Sequence, residues 1–600
     1  MKRCFLVVLF LLGFQYMNAR DTKKIVILHT NDLHSHLVGF APESDYSPLI
    51  TNNDSTRGGF ARIASVIASE KASNTGITLV VDAGDFLMGT LFPPVEAETG
   101  FQLRLMKQMG YDVTCFGNHE FDYGPAKLAE IISSSVNRGA IPEILTGNII
   151  FDEKDNRDDA LEKLAKENII RRKFIINRDG LKIGFFSLIG KDAAEDAPNA
   201  SPVEFSSRIR YARMMVKELQ HDSCNLIICL SHSGVTKGKD GQWGGEDVDL
   251  AHKVKGIDVV ISGHTHTRLD KPVIVDGIPI VQTGAFGKYV GKLTLDYSQG
   301  KVTVENYQLI PVEDNIKGDE TVNNSIDDQK TKINEEVLRP VGLKYDMQIA
   351  ETTFSLKGIE DYEGAEKSNL GPLVADAIQY YVNKHNSTGT DISMVAAGVI
   401  RDGIAPGVQE TSDIFRVMSL GSGDDNIPGY PLARLYVTGR ELKNILEILQ
   451  VAYRSKPDNY CYYSGLKIYY NPGRGLLRKI SGIEILKPDR EPEKVDFSKK
   501  DKKLYSITAN SYMLQFIGII KKMSFGLINV VPKNADGMKV TDMKAAVIDI
   551  DSNKEGIQEG KEWLALLEYL RSMNDTNDDG LPDIDRKYAK PVSNLVQVKY

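Results

Sequence analysis

Cysteine is scarce in this chain, five among 600 residues. That excludes a fold scaffolded by disulfides. Cys224 and Cys229 flank or lie within an apolar run that reads as a buried strand, where a bridge between them would strain the backbone, so they read as buried thiols. Positive charge is also in deficit, 73 Lys and Arg against 81 Asp and Glu. A net-acidic chain is a poor binder of nucleic-acid polymers, and that class is set aside. Long apolar runs are missing as well. The one candidate, Cys4 to Phe14, is too short to span a bilayer comfortably. With Met1-Lys2-Arg3 before it and Met17-Asn18-Ala19 after it, it reads as a secretory signal peptide over residues 1–19. The mature chain then has 71 basic against 81 acidic residues, a net charge of −10, no transmembrane segment, and an exported location at the periplasm or cell surface. An uncleaved N-terminal anchor is the alternative. Nor is there bias towards disorder: 42% hydrophobic and 26% charged residues describe a globular chain, and its length calls for two principal domains.

What the first half does contain is a repeated pattern. Short β-branched and apolar runs end in Asp, Asn or His. Ile25 to Leu28 breaks into His29-Thr30-Asn31-Asp32-Leu33-His34; Ile77 to Val81 leads to Gly84-Asp85; Val113 to Phe116 leads to Gly117-Asn118-His119-Glu120-Phe121-Asp122. Leu226 to Leu230 ends at Ser231-His232, and Val259 to Ile261 at Gly263-His264-Thr265-His266. Polar residues at the carboxyl ends of strands are where open α/β sheets place their sites. Six of the ten histidines stand at these run ends.

The residue types fit one chemistry. Asp32 and His34 present a hard oxygen and a borderline nitrogen to one point, which suits Zn²⁺, Mn²⁺ or a similar ion. Together with Asp85, Asn118, His232, His264 and His266 they make a donor set for two divalent ions bridged by one carboxylate. Ion pairs of that kind clamp a phosphoryl group and generate a hydroxide nucleophile near neutral pH. His119, with Asp122 three residues on, offers an imidazole for a proton and a carboxylate to orient it. His29 and His36 read as outer-shell or surface residues; His221, His252 and His385 read as surface residues.

These five blocks resemble those of the calcineurin-like metallophosphoesterases, and their order and intervals are similar to the exported bacterial 5′-nucleotidases and UDP-sugar hydrolases, strongly over residues 24 to 310. The resemblance implies a four-layer α/β/β/α sandwich as catalytic domain (20–310). It implies Asp32, His34 and His266 on one ion, Asn118, His232 and His264 on the other, and Asp85 between them. His119, oriented by Asp122, is then the catalytic imidazole. His266 stands where many of these nucleotidases carry Gln.

Residues 311–345 read as a solvated linker turning helical from Asp327 to Leu338. Beyond it, Ser368 to Ala377, Val399 to Ile404 and Val437 to Leu442 resemble blocks of the family's smaller α/β substrate domain (346–560), which implies that the two domains swing about the linker. Here the chain departs from the pattern. Tyr512 keeps one of the two rings that sandwich a nucleobase, but Ser419-Leu420-Gly421 replaces the block that carries the other. Ala396 replaces an Asn, Arg401 remains for the substrate, and Phe516 to Ile519 replaces the ribose-binding block. The tail (561–600) reads as an amphipathic helix near Lys561 to Met573 followed by Asp575-Thr576-Asn577-Asp578-Asp579-Gly580. Asp575, Asn577 and Asp579 alternate as in a calcium loop, but Arg586 holds the twelfth position, so a structural calcium site and a solvated acidic turn both stay open.

The expectation is therefore an exported phosphoester hydrolase acting on a small molecule, a 5′-nucleotide first. Cleavage of a cyclic nucleotide, a nucleotide sugar or a non-nucleotide ester is the alternative. From a different class, a surface binding protein with a relict metal site stays open.

Overall fold

The fold was obtained as a computed structural model describing residues 22–41, 45–358, 364–454, 457–487, 490–514 and 530–598. The signal-peptide segment and the Phe516 to Ile519 block lie outside the described residues.

All five apolar runs form strands, and they do so in two sheets. Lys23–Thr30, Ile77–Asp82 and Val113–Cys115 run parallel at the centre of a seven-stranded sheet. Leu226–His232 and Val259–Ser262 run parallel within a six-stranded sheet, beside Leu181–Ile189. The two sheets face each other. Ile25, Ile27, Leu79 and Val81 meet Phe185, Ile228, Leu230 and Ile261 in the core between them. Alternate residues point the other way: Val26, Leu28 and Val80 pack under helices through Phe60, Ile63 and Leu103, and Ile227, Cys229 and Val260 pack under Met215, Leu219 and Leu250. Each strand is thus buried on both faces, which is why it reads as an unbroken apolar run. The four layers follow, with strand ends from both sheets meeting along one edge.

The linker departs from its expectation. Its helix begins at Glu320, capped by the Asp319 side chain, seven residues before Asp327, and passes at Asn334–Leu338 into a wider turn. It is not wholly solvated. Val322, Ile326 and Ile333 are buried, and Gln329 Nε2 donates to Thr99 Oγ1 at 2.9 Å.

The second domain is built on a four-stranded sheet ordered Leu432–Thr438, Leu504–Asn510, Ile392–Ala396, Cys461–Ser464. Helix Gly439–Ala452 starts in a capping box, Thr438 and Glu441 each bonding the other's backbone N–H. The tail is not a separate appendage. Helix Glu562–Arg571 buries Trp563, Leu566 and Leu570 in the same core as helix Leu370–His385, and Leu595–Gln597 pairs parallel with Leu466–Tyr470. Cys229 is a buried free thiol as expected, whereas Cys224 is half-buried; Cys115 is a buried free thiol as well.

Candidate active site

Two loops carry the first three of these residues, Asp32, His34 and Asp85, and they are zipped together by backbone. Asp32 N–H donates to Gly84 O, His34 N–H to Asp85 O and Ser35 N–H to Phe86 O, each at 2.9 Å. The zip holds a strained backbone. Asp32, His34, Asp85, His264 and His266 all have φ between 47° and 77°, a region that costs a non-glycine residue about 1–3 kcal/mol. Backbone strain gathered on five residues of one site is the mark of a geometry imposed from outside. Gly117 completes the approach, because a Cβ there would collide with Asp85 Oδ1.

The side chains converge. His232 Nε2 lies 2.9 Å from Asp85 Oδ2 and 3.8 Å from Asp32 Oδ1; Asp85 Oδ2 is also 3.8 Å from His34 Nε2. His266 Nε2 stands 3.0 Å from His34 Nε2 and 3.7 Å from Asp32 Oδ1. Asp85 Oδ2 thus sits between His34 and His232, where a bridging carboxylate belongs. Asp32, His34 and His266, and again Asp32, Asp85 and His232, bring ligand atoms close enough to share an ion. Two features fit a metal pair better than a hydrogen-bonded cluster. His232 Nε2 is buried without a hydrogen-bond partner although a carboxylate oxygen is beside it, and two imidazole nitrogens face each other at 3.0 Å. Burial opposes charge on His232, but Asp85 and Asp32 outweigh it and push the imidazole up to about 10, a sign of how strongly these carboxylates call for positive charge.

On the other side, His264 Nδ1 faces Asn118 Oδ1 at 3.2 Å, and its backbone N–H donates to both carboxylate oxygens of Asp32, at 3.0 and 3.1 Å. His119 Nδ1 pairs with Asp122 Oδ2 at 2.7 Å and its backbone N–H with Asp85 Oδ1 at 2.9 Å. Burial would lower the His119 pKa, but the Asp122 and Asp85 carboxylates outweigh that and hold it raised. His29 is buried against Tyr307 rather than exposed, and His36 is buried with Nδ1 on His34 O. His221 and His252 are exposed, and His385 bonds Glu568 at the surface.

Arg401 and Tyr512, on the second domain, line one cavity of about 1000 Å³ with Asp85, Asn118 and His119. Arg401 Nη1 donates to Gly398 O at 3.2 Å, and its positive charge is felt at both His34 and His119. Ala396 and Leu420 line the same cavity. The expectation of a single ring is corrected here. Tyr430 stacks on Tyr512, centroids 5.3 Å apart and planes 12° from parallel. Gly421, with φ 76° and no Cβ, makes room for it. The loop before Tyr430 is anchored from the tail: Trp563 Nε1 donates to Pro428 O at 2.7 Å, and Lys561 Nζ pairs with Asp425 at 2.8 Å. The Pro428-Gly429-Tyr430 turn was the available signal.

Two supports were also missed. Glu120 accepts N–H bonds from Asp85 at 3.0 Å, Leu87 at 2.9 Å and Gly117 at 2.6 Å. Asp192 Oδ2 lies 3.3 Å from His264 Nε2, fixing the face that His264 turns to Asn118. The acidic loop of the tail is occupied by its own backbone. Asp575 accepts from Asp578 and Gly580, Asn577 from Asp579, and Asp579 from Leu581. Asp575, Asn577 and Asp579 are absent from the groupings that could share an ion among the described residues.

An α/β/β/α sandwich with paired Asp, His and Asn donors at its strand ends defines a metal-dependent phosphoester hydrolase. Comparison with known proteins agrees. Residues 25–268 match the calcineurin-like phosphoesterase family, and residues 348–518 the 5′-nucleotidase C-terminal domain. The chain belongs to the calcineurin-like phosphoesterases of 5′-nucleotidase type. It is 28% identical over 453 residues to the trifunctional nucleotide phosphoesterase YfkN of Bacillus subtilis, covering 70% of this chain but only 27% of that longer protein. It is 27% identical over 528 residues to a snake venom 5′-nucleotidase of Gloydius brevicauda, covering 82% of each. In fold it matches a 5′-nucleotidase precursor from Thermus thermophilus, TM-score 0.68 at 19% identity, over 96% of this chain and 100% of that one. The family uses a dinuclear divalent metal site.

Proposed function

We propose that this enzyme hydrolyses phosphomonoesters, 5′-nucleotides first among them, to alcohol and inorganic phosphate, and that it works outside the cytoplasm. The observation that carries this is one cavity holding the Asp, His and Asn cluster, the His119–Asp122 pair, Arg401 and the Tyr430–Tyr512 stack. Export rests on the N-terminal segment; among the described residues no helix is long and apolar enough to cross a membrane.

Asp32, His34 and His266 would hold one divalent ion and Asn118, His232 and His264 the other, with Asp85 shared; mixed oxygen and nitrogen donors fit Zn²⁺ or Mn²⁺. When bound, such a pair polarises the phosphoryl oxygens and acidifies water near neutral pH. This chain's own residues do the rest. Arg401 pairs with phosphoryl oxygens and places phosphorus against the cluster. Water attacks phosphorus opposite the ester oxygen, the phosphorus–ester bond breaks, and its electron pair stays on the departing oxygen. His119, held through Nδ1 by Asp122, gives that oxygen a proton from Nε2, and the proton shed by the attacking water restores the imidazolium as alcohol and phosphate leave. The tyrosine pair offers a face on which a nucleobase stacks. The size of the cavity, at the upper end for small-molecule sites, supports a second reading in which a nucleotide sugar or cyclic nucleotide is also cleaved.

The test is phosphate release from AMP, UDP-glucose, 2′,3′-cyclic AMP and glycerol phosphate with Mn²⁺ or Zn²⁺ added. AMP should lead, and His119→Ala should lose about 10²- to 10⁴-fold in kcat. Activity on glycerol phosphate alone, or an unaffected His119→Ala, would refute the reading.

A further inference from the structure

Arg401 reaches the cavity from the second domain, and its neighbour touches the first. Asp402 Oδ2 lies 3.2 Å from Arg416 Nε and 3.7 Å from His36 Nε2. Arg416 Nη2 donates to Asp413 Oδ1 at 2.8 Å, and its guanidinium sits over the Phe40 ring, 3.9 Å from the centroid. His36 stacks on Phe286, centroids 4.3 Å apart, and Phe286 faces His34 and His266. Phe40, His36, Asp402 and Arg416 are all more than nine-tenths buried.

Two carboxylates and one guanidinium in a dry contact are a costly way to make two domains adhere. What such a group supplies is geometry. The fork of Arg416 fixes Asp402, and the Arg401 N–H donates to Val417 O at 2.9 Å, so the backbone that carries Arg401 is tied to the helix carrying Arg416. That helix rests through Arg416 on Phe40, and Asp402 meets His36 on the turn that carries His34.

We infer that Asp402 and Arg416, seated on His36 and Phe40, are positioning residues that clamp the second domain onto the Asp32 to His36 turn and hold Arg401 over the phosphoryl site. The inference rests on the assignment of Arg401 to the substrate made above. A clamp acting on the phosphoryl end must affect inorganic phosphate and every ester alike, whatever the leaving group.

The experiment is calorimetric titration of inorganic phosphate into the Mn²⁺-loaded full chain, beside kcat and KM for AMP and p-nitrophenyl phosphate. Phe40→Ala removes the ring under Arg416 without leaving a buried charge unpaired; Phe40→Tyr restores the ring. Arg416→Lys keeps the charge and loses the fork. The phosphate Kd and both KM values should rise together about tenfold in Phe40→Ala and Arg416→Lys, the scale of one desolvated cation–π contact. Turnover should change less than about threefold. Phe40→Tyr should match the wild type, and the double variant should be no weaker than either single one. An unchanged phosphate Kd in Phe40→Ala, a KM rise confined to one ester, or a fall in kcat at constant Kd would overturn the clamp. A protein that shows the phosphate effect yet hydrolyses neither ester would refute the proposed reaction and uphold the clamp.

Discussion

Replacing Glu120 by Gln changes one oxygen to NH₂ and should loosen the metal site without touching a ligand. Oε2 of Glu120 accepts from the N–H groups of Asp85 and Gly117, and Oε1 from that of Leu87. A glutamine in its better orientation keeps the first two bonds through its single oxygen. Its NH₂ then faces the Leu87 N–H, donor against donor, at a place that water does not reach, since Glu120 and Leu87 are both 1% exposed. One unsatisfied buried donor costs about 1–3 kcal/mol. The cheapest relief is a shift of the Gly84 to Leu87 loop, which already holds Asp85 at a positive φ. Outer supports of this kind typically change metal affinity 10- to 100-fold when mutated. Mn²⁺ titrated into metal-free protein, and the Mn²⁺ dependence of p-nitrophenyl phosphate hydrolysis, should both shift upward by about that factor, with kcat at saturating Mn²⁺ largely restored. An unchanged Mn²⁺ dependence would show that the three N–H bonds do not set the position of Asp85. A loss of kcat that no Mn²⁺ concentration restores would give Glu120 a role in the reaction itself.

The remaining expectations concern the second domain. Removing the ring behind Tyr512 by Tyr430→Ala should raise KM for AMP about 5- to 100-fold, the 1–3 kcal/mol of a base stack, and leave glycerol phosphate unaffected; equal losses on both would make Tyr430 a packing residue only. Glu562 is buried with Asn510 Nδ2 donating to it at 2.9 Å, and burial pushes its carboxyl up to about 8. Its folded pKa lies above the unfolded value, so the native state holds a proton that the unfolded chain lacks, and stability falls as pH rises through that window by about 1.4 kcal/mol per unit. Urea unfolding at pH 5.5 and 7.5 should therefore show a difference that Glu562→Gln reduces by about 2–3 kcal/mol; the same difference in both proteins would mean that Glu562 is ionised in the fold.

How far the sequence could be read depended on whether a residue's role was decided by itself or by a distant partner. Ile25 to Leu28 and Leu226 to Leu230 announced themselves because each is covered on both faces, so no polar residue interrupts the run. Asp32, His34, Asp85, Asn118, His232, His264 and His266 stood out because metal chemistry restricts the residue type and the strand ends restrict the place. Asp192 obeys the same rule, following strand Leu181–Ile189, but no His or Asn stands beside it to mark it as part of a donor set. Glu120 and Arg416 could not be read at all. A buried carboxylate or guanidinium acquires its task from the N–H groups, ring and carboxylates that meet it, and those lie on other elements: Asp85 is 35 residues from Glu120, and Phe40 belongs to the other domain. Tyr430 is the sharpest case. The position expected to carry the second ring holds Leu420, and a ring supplied ten residues later reaches the same cavity only because Gly421 yields space and Trp563 and Lys561, in the tail, anchor its loop. A tail set apart by its composition is thereby tied to the site: Trp563→Phe, which keeps a ring in the core and removes the N–H on Pro428 O, should loosen the Tyr430 loop and raise KM for AMP but not for glycerol phosphate, while the donor cluster of the first domain keeps its own supports.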